Sequence, residues 1–170
     1  MDISGIISQY DFNYKYAEAL VRDVTPQLMT AIPGPGFENH PAFTLGHLVT
    51  GSAMMAEDLG EVYVVPDGWH ELFARKGPGD PRKPALEQDS YPPRDILLAE
   101  LDHQHEKVKN ILISLNSTDL VKPVKWRFSK FMPTLGDLAV FMCVNHEAMH
   151  LGQLAGWRRA MNLPSALATL

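Results

Sequence analysis

Cysteine is almost absent from this chain of 170 residues: Cys143 stands alone, so no internal disulfide can form. Long apolar runs are missing as well. None approaches the ~18 residues needed to span a bilayer, so no membrane partner is expected. Dense runs of Lys and Arg are missing too. The nearest, Arg82-Lys83 and Arg158-Arg159, read as surface pairs, and the net charge is −5. A nucleic-acid partner, which needs a basic face, is not expected either. The opening MDISGIISQYD carries an acid at position 2 and no basic stretch, so it does not read as a signal peptide. Together these features predict a reducing, cytoplasmic setting. Without secretion, Asn116-Ser117-Thr118 reads as a chance match to a glycosylation acceptor.

What the chain does have is apolar periodicity. Hydrophobic residues make up 45%, which predicts a globular fold, and the length suits one domain over 1–170. Four segments carry helical spacing, so the fold class is all-α. The first runs from Ile3 to Val24, with Ile3, Ile7, Tyr10, Tyr14, Ala17, Val21 and Val24 on one stripe. The second runs from Pro41 to Leu59, opened by a proline that a first turn tolerates and closed by Gly60. The third runs from Pro93 to Leu115, with Leu97, Leu101, Val108, Ile111 and Leu112 in register, and Asn116 and Ser117 as breakers. The fourth runs from Leu135 to Met161, with cap-like spacing of Thr134 and Asp137. Between the second and third lies a Pro/Gly-rich segment, 61–92, long enough to cross a bundle and leave those helices parallel. Its aromatics Tyr63, Trp69 and Phe73 could cover one end. The stretch 120–133 fits either an extended segment or a short helix.

Histidines carry the chemistry. His146 and His150, in NHEAMH, lie one helical turn apart and share a face, in a predicted stripe with Leu135, Ala139, Met142, Gln153 and Trp157. Burying two imidazoles on an apolar stripe is costly unless their nitrogens are bonded. A metal would bond both at once; two core histidines hydrogen-bonded to the protein are the alternative. His-Glu-x-x-His is also the helical signature of zinc proteases, which take a third ligand from downstream. After His150 the chain holds no His, Asp, Glu or Cys. A third ligand must therefore come from upstream, and His47 is the best candidate. It shares a stripe with Phe43, Gly51, Met54 and Asp58, and Gly51 would leave room for an imidazole. Three histidines around one ion leave positions open for water, as catalytic sites do. His40 reads as a cap, His105 as packed, His103 as solvated, and His70 as a loop residue. Glu147 reads either as a surface or helix-pairing carboxylate or as a proton-handling group beside the ion. Cys143 reads as a small buried hydrophobe.

NHPAFTLGHL (39–48) and NHEAMHLGQLAGWRR (145–159) resemble the DinB/YfiT-like superfamily, and the resemblance covers essentially the whole chain. It implies a four-helix bundle of up-down-down-up course, often dimeric. It also implies a divalent metal held by one histidine of the second helix and two of the fourth, which here are His47, His146 and His150. Characterised relatives include thiol-dependent transferases and isomerases. The expected activity is therefore transfer to, or hydrolysis of, a small electrophilic substrate, aided by Zn²⁺, Ni²⁺, Fe²⁺ or Mn²⁺ and by a low-molecular-weight thiol. A homodimer is expected. Glu147 is the candidate for proton handling, and Trp69 or Trp157 for shaping the pocket. The alternative is a non-catalytic, stress-related bundle whose metal is structural. A fourth protein ligand such as His105 or Glu147 would favour that alternative.

Overall fold

The computed structural model describes residues 3–77 and 80–170. Among these residues every regular element is helical, and one isolated antiparallel bridge joins Pro123 to Thr134. Helix α1 spans Ile3–Val21, α2 Pro41–Asp58, α3 Trp69–Phe73, α4 Arg94–Ser114, α5 Ser117–Leu120, α6 Leu135–Val140 and α7 Glu147–Ala160. A π-helical turn, Phe141–His146, joins α6 to α7 without a break.

Local chemistry sets these limits. At the head of α2, His40 Nδ1 accepts from the Phe43 amide, with Pro41 in the first turn. Its end is followed by Gly60 at φ 98°, a left-handed conformation that suits glycine. Asn116 opens α5 and Thr134 opens α6, each in a reciprocal capping box with the acid three residues on. Helix α1 ends three residues earlier than its stripe predicts: Val24 is buried, but in the turn after Val21. Beyond Leu120, which ends α5, the stretch 120–133 is neither strand nor helix. Its turns are pinned by Trp126, whose Nε1 donates to the Met132 carbonyl at 2.7 Å.

Hydrogen bonds between elements give their directions. Arg94, at the start of α4, donates to the carbonyls of Val21, Arg22 and Val24 at the end of α1, so those helices run in opposite directions. His40, before α2, bonds Ala85, shortly before α4, while Gln104 and Lys107 of α4 reach the carbonyls of Val64 and Val62 just after α2. Helices α2 and α4 are therefore parallel, as the long connection allows. Arg158 of α7 bonds Asp23 and the Leu20 carbonyl, and Asn13 bonds the Cys143 carbonyl, which makes α1 and α7 parallel.

Two apolar clusters fill the interior. One holds Leu20, Leu45, Phe73, Leu97, Leu101, Leu154 and Trp157. The other holds Ile6, Tyr10, Met55, Val108, Leu112, Leu138 and Cys143. Between them, in the register of each helix, lie buried polar groups: Asn13, Ser52, Gln104, His105 and Glu147. The connection 61–92 sends Trp69 and Phe73 into the core, while Tyr63 stays half-buried and bonds exposed His70. Phe73 lies flat against Gly46, where a Cβ would sit 2.3 Å from its ring, so α2 needs a glycine there.

Candidate metal centre

The structure brings His47, His146 and His150 together. One ring nitrogen from each lies within 4.8 Å of the others. Bonds of about 2.0–2.1 Å to a shared ion are within reach of such a group after small side-chain rotations. Among the described residues no fourth His, Cys, Asp or Glu joins them.

The ring nitrogens are not equivalent. His47 Nδ1 lies 3.0 Å from the Phe73 carbonyl. A carbonyl only accepts, so Nδ1 carries the hydrogen and Nε2 keeps a free lone pair. His150 Nδ1 donates to Gln153 Oε1 at 3.1 Å, with the same consequence. Among the described residues His146 has no hydrogen-bond partner at either nitrogen. Its position is set by packing: a Cβ on Gly51 would lie 3.1 Å from its Cε1. Glycine at 51 therefore makes room for a histidine ring, and it is the ring of the fourth segment rather than that of His47.

All three rings are held neutral. Burial lowers the His146 pKa to about 3, helped by the repulsion of His150 and His47. Burial and His47 lower His150 to about 4. His47 is also lowered, by burial and then by the charge of Arg75. Neutral imidazoles with exposed lone pairs are what a cation needs, and they are uncomfortable without one.

The π turn explains the phase of this site. Its wider winding offsets the residues after it from the predicted stripe. The core face of the π turn and α7 becomes Cys143, Glu147, Leu151 and Leu154, all buried, while His146 and His150 are half-buried on the flank. The expectation that both imidazoles point at the centre of the apolar face is thus corrected. Asn13 of α1 supports the turn, its side-chain amide donating to the Cys143 carbonyl at 3.1 Å and less directly to that of Val144 at 3.4 Å.

The DinB superfamily model matches residues 9–154. The chain belongs to the DinB superfamily. No curated protein matches it. In this DinB chain the matched span takes in all three histidines, the π turn and the long connection.

Glu147 lies at the centre of the interior. Its Oε1 meets His105 Nε2 at 2.6 Å, and both side chains are almost wholly buried. Tyr10 stacks on the His105 ring at 3.7 Å and bonds Ser52 at 2.9 Å. Burial raises the Glu147 pKa, while His105 and the nearby Asn13 amide oppose that shift. Its Oε2 has no well-formed partner among the described residues, and Glu147 lines a narrow void with His146, Tyr10 and Ser52. His40 caps α2, as read from sequence, and Asp58 stays outside the histidine group.

A cavity of about 490 Å³ opens beside the histidines. His47 and His146 line it, and Trp126, Phe128 and Phe141 form one wall, with ring centroids 5.2–5.4 Å apart. The expected pocket aromatics are elsewhere: Trp69 and Trp157 are core residues. Sequence reading also missed Asn13, Gly46 and the arginines of the cavity rim, Arg75 and Arg127. Only Gly46 left a signal, as a glycine inside a helical pattern.

Proposed function

We propose that this DinB protein binds one divalent cation through the Nε2 atoms of His47 and His150 and a nitrogen of His146, and uses it in group transfer to, or hydrolysis of, a small electrophile. The observation that carries the reading is the convergence of three neutral imidazoles, two with their Nδ1 atoms already engaged, beside a cavity of substrate size. When bound, such an ion would polarise a water, a thiol or a substrate oxygen. Three imidazoles do not select strongly among zinc, nickel, iron and manganese. A low-molecular-weight thiol as the nucleophile, a homodimer and a cytoplasmic setting belong to the same proposal. So does the four-helix bundle of up-down-down-up course, supported by the antiparallel α1–α4 and parallel α2–α4 and α1–α7 pairs.

The chain's own residues have separable tasks. Phe73 and Gln153 hold two rings with their lone pairs inward. The aromatic wall keeps water off one side of the cavity. Glu147 enters as a proton acceptor through Oε2 or as a brace for the helix that carries His146. The void beside it has no room for a water, which favours the brace. Glu147→Gln separates the two roles, because glutamine can still accept from His105 but cannot take a proton.

The competing reading, a structural ion in a non-catalytic bundle, would be favoured by a fourth protein ligand, and among the described residues the histidine group holds none. Elemental analysis of untagged protein tests the site. Near-stoichiometric metal that is lost in His47→Ala and His150→Ala supports it, whereas protein that stays free of metal after reconstitution removes it. A screen of low-molecular-weight thiols against electrophilic acceptors, with and without chelator, then tests the activity.

A further inference from the structure

The cavity beside the three histidines has an apolar wall and a charged rim. Arg82, Arg94 and Arg158 each pair with a carboxylate, Asp80, Asp95 and Asp23 respectively. The two arginines that line the cavity do not. Arg75 is half-buried, and its partners are neutral: the Arg82 carbonyl, Asn39 Oδ1 and the face of Phe43, 4.4 Å from its guanidinium. Arg127 lies over the Phe128 ring at 5.5 Å. Among the described residues neither has an acidic partner.

Arg127 meets the segment that carries Arg75 at one side of the opening. A Cβ on Gly77 would lie 2.9 Å from Arg127 Nη2, so this guanidinium rests against the segment that carries Arg75. The one carboxylate in the lining, Asp58, stands eleven residues along α2 from His47, about 16 Å of helix. Burial and Glu57 raise its pKa, with no contribution from either arginine. The rim charge is therefore not cancelled from within the pocket. Arginine forks suit planar oxyanions, and partial desolvation strengthens the bond.

We infer that the site takes a small carboxylate with a flat apolar body, its carboxylate held by Arg75 and Arg127 and its body laid against Trp126, Phe128 and Phe141. This rests on the metal-centre reading only for the location of the reacting end; the anion recognition stands on the two arginines. Met54 and Met142 complete the lining with flexible apolar surface. A cavity of about 490 Å³ accommodates a bicyclic aromatic acid. Asp58 disfavours a second negative charge at the far end, so monoanions are preferred over dianions.

The test is calorimetric titration with 2-naphthoate and with its neutral isostere 2-naphthamide, in zinc-loaded and chelator-treated protein at fixed ionic strength. Naphthoate is expected to bind roughly 10-fold tighter than naphthamide or better, in both metal states, as charge-assisted hydrogen bonds provide. Arg127→Gln, at an exposed position, should reduce that ratio. Arg75→Gln with Arg127→Gln should bring it near one while metal content holds. Equal binding of acid and amide, no binding of either, or a ratio unchanged in the double variant overturns the inference. A preference found only with zinc and untouched by the double variant places the carboxylate on the ion; the arginine inference then fails and the metal reading survives. Protein that never retains metal, yet loses its acid preference in the double variant, fails the metal reading and keeps this one.

Discussion

His146 and Glu147 are neighbours in the chain and belong to two different interiors. Glu147 turns inward and meets His105, which is clamped between this carboxylate and the Tyr10 ring. His146 turns to the flank and meets His47 and His150, with centroids 5.4 and 4.7 Å away. Both places bury imidazoles. In the first, the imidazole has a carboxylate partner and aromatic cover. In the second, lone pairs face one another and every ring is pushed towards neutrality. Burial alone therefore says little about a histidine. What separates the brace from the candidate ligands is the company each ring keeps: His105 meets a carboxylate, whereas the clustered rings meet neutral acceptors and one another.

The contrast can be broken from either side. Glu147→Ala removes one partner of a buried pair and should cost the fold about 3–5 kcal/mol, read from the urea midpoint, with metal retained by whatever remains folded. His150→Ala should do the reverse. Metal affinity falls by roughly 100-fold or more, since even outer partners of ligands are worth about 10–100-fold. Urea stability of the metal-free form should change little. If both variants lose stability and metal equally, the two interiors are one unit and the distinction is wrong.

Gly46→Ala sharpens the comparison through packing. The new methyl would collide with Phe73, costing about 1–3 kcal/mol and disturbing the carbonyl that orients His47. A combined loss of stability and of metal affinity is expected, measured by thermal melting and competition with a chelator.

Acid gives the most graded effect. In metal-free protein His146 and His150 titrate near 3 and 4, whereas an unfolded histidine titrates near the ordinary value of 6.5. Between those limits the unfolded chain binds protons that the folded chain refuses. Stability must then fall as pH falls below about 6.5, by up to ~1.4 kcal/mol per pH unit for each ring, and level off once the folded rings charge. Urea midpoints from pH 7 to 5 should show this slope, and His146→Gln should reduce it.

Much of this arrangement was legible in the residues. Proline, glycine and capping acids mark the long helices to within a few residues, because those side chains act on the backbone locally. The i, i+4 pair and the lack of any donor after His150 pointed across the molecule to His47. Three things were hidden. The π turn was hidden because a regular period was assumed through Phe141–His146, although nothing local announces the extra residue. The inward turn of Glu147 followed from that phase error. The carbonyl of Phe73 and the rim arginines were hidden because contacts from a long connection depend on tertiary packing, and helical spacing does not encode them.

That connection has an evolutionary consequence. It supplies the Phe73 carbonyl to one ring and Arg75 to the mouth, while the other two histidines stand on a separate rod. Changes in residues 74–77 would alter the cavity mouth without rebuilding the three-histidine group. Preservation of Phe73 and its grip on His47 would keep the histidine geometry constant while the proposed ligands diversified.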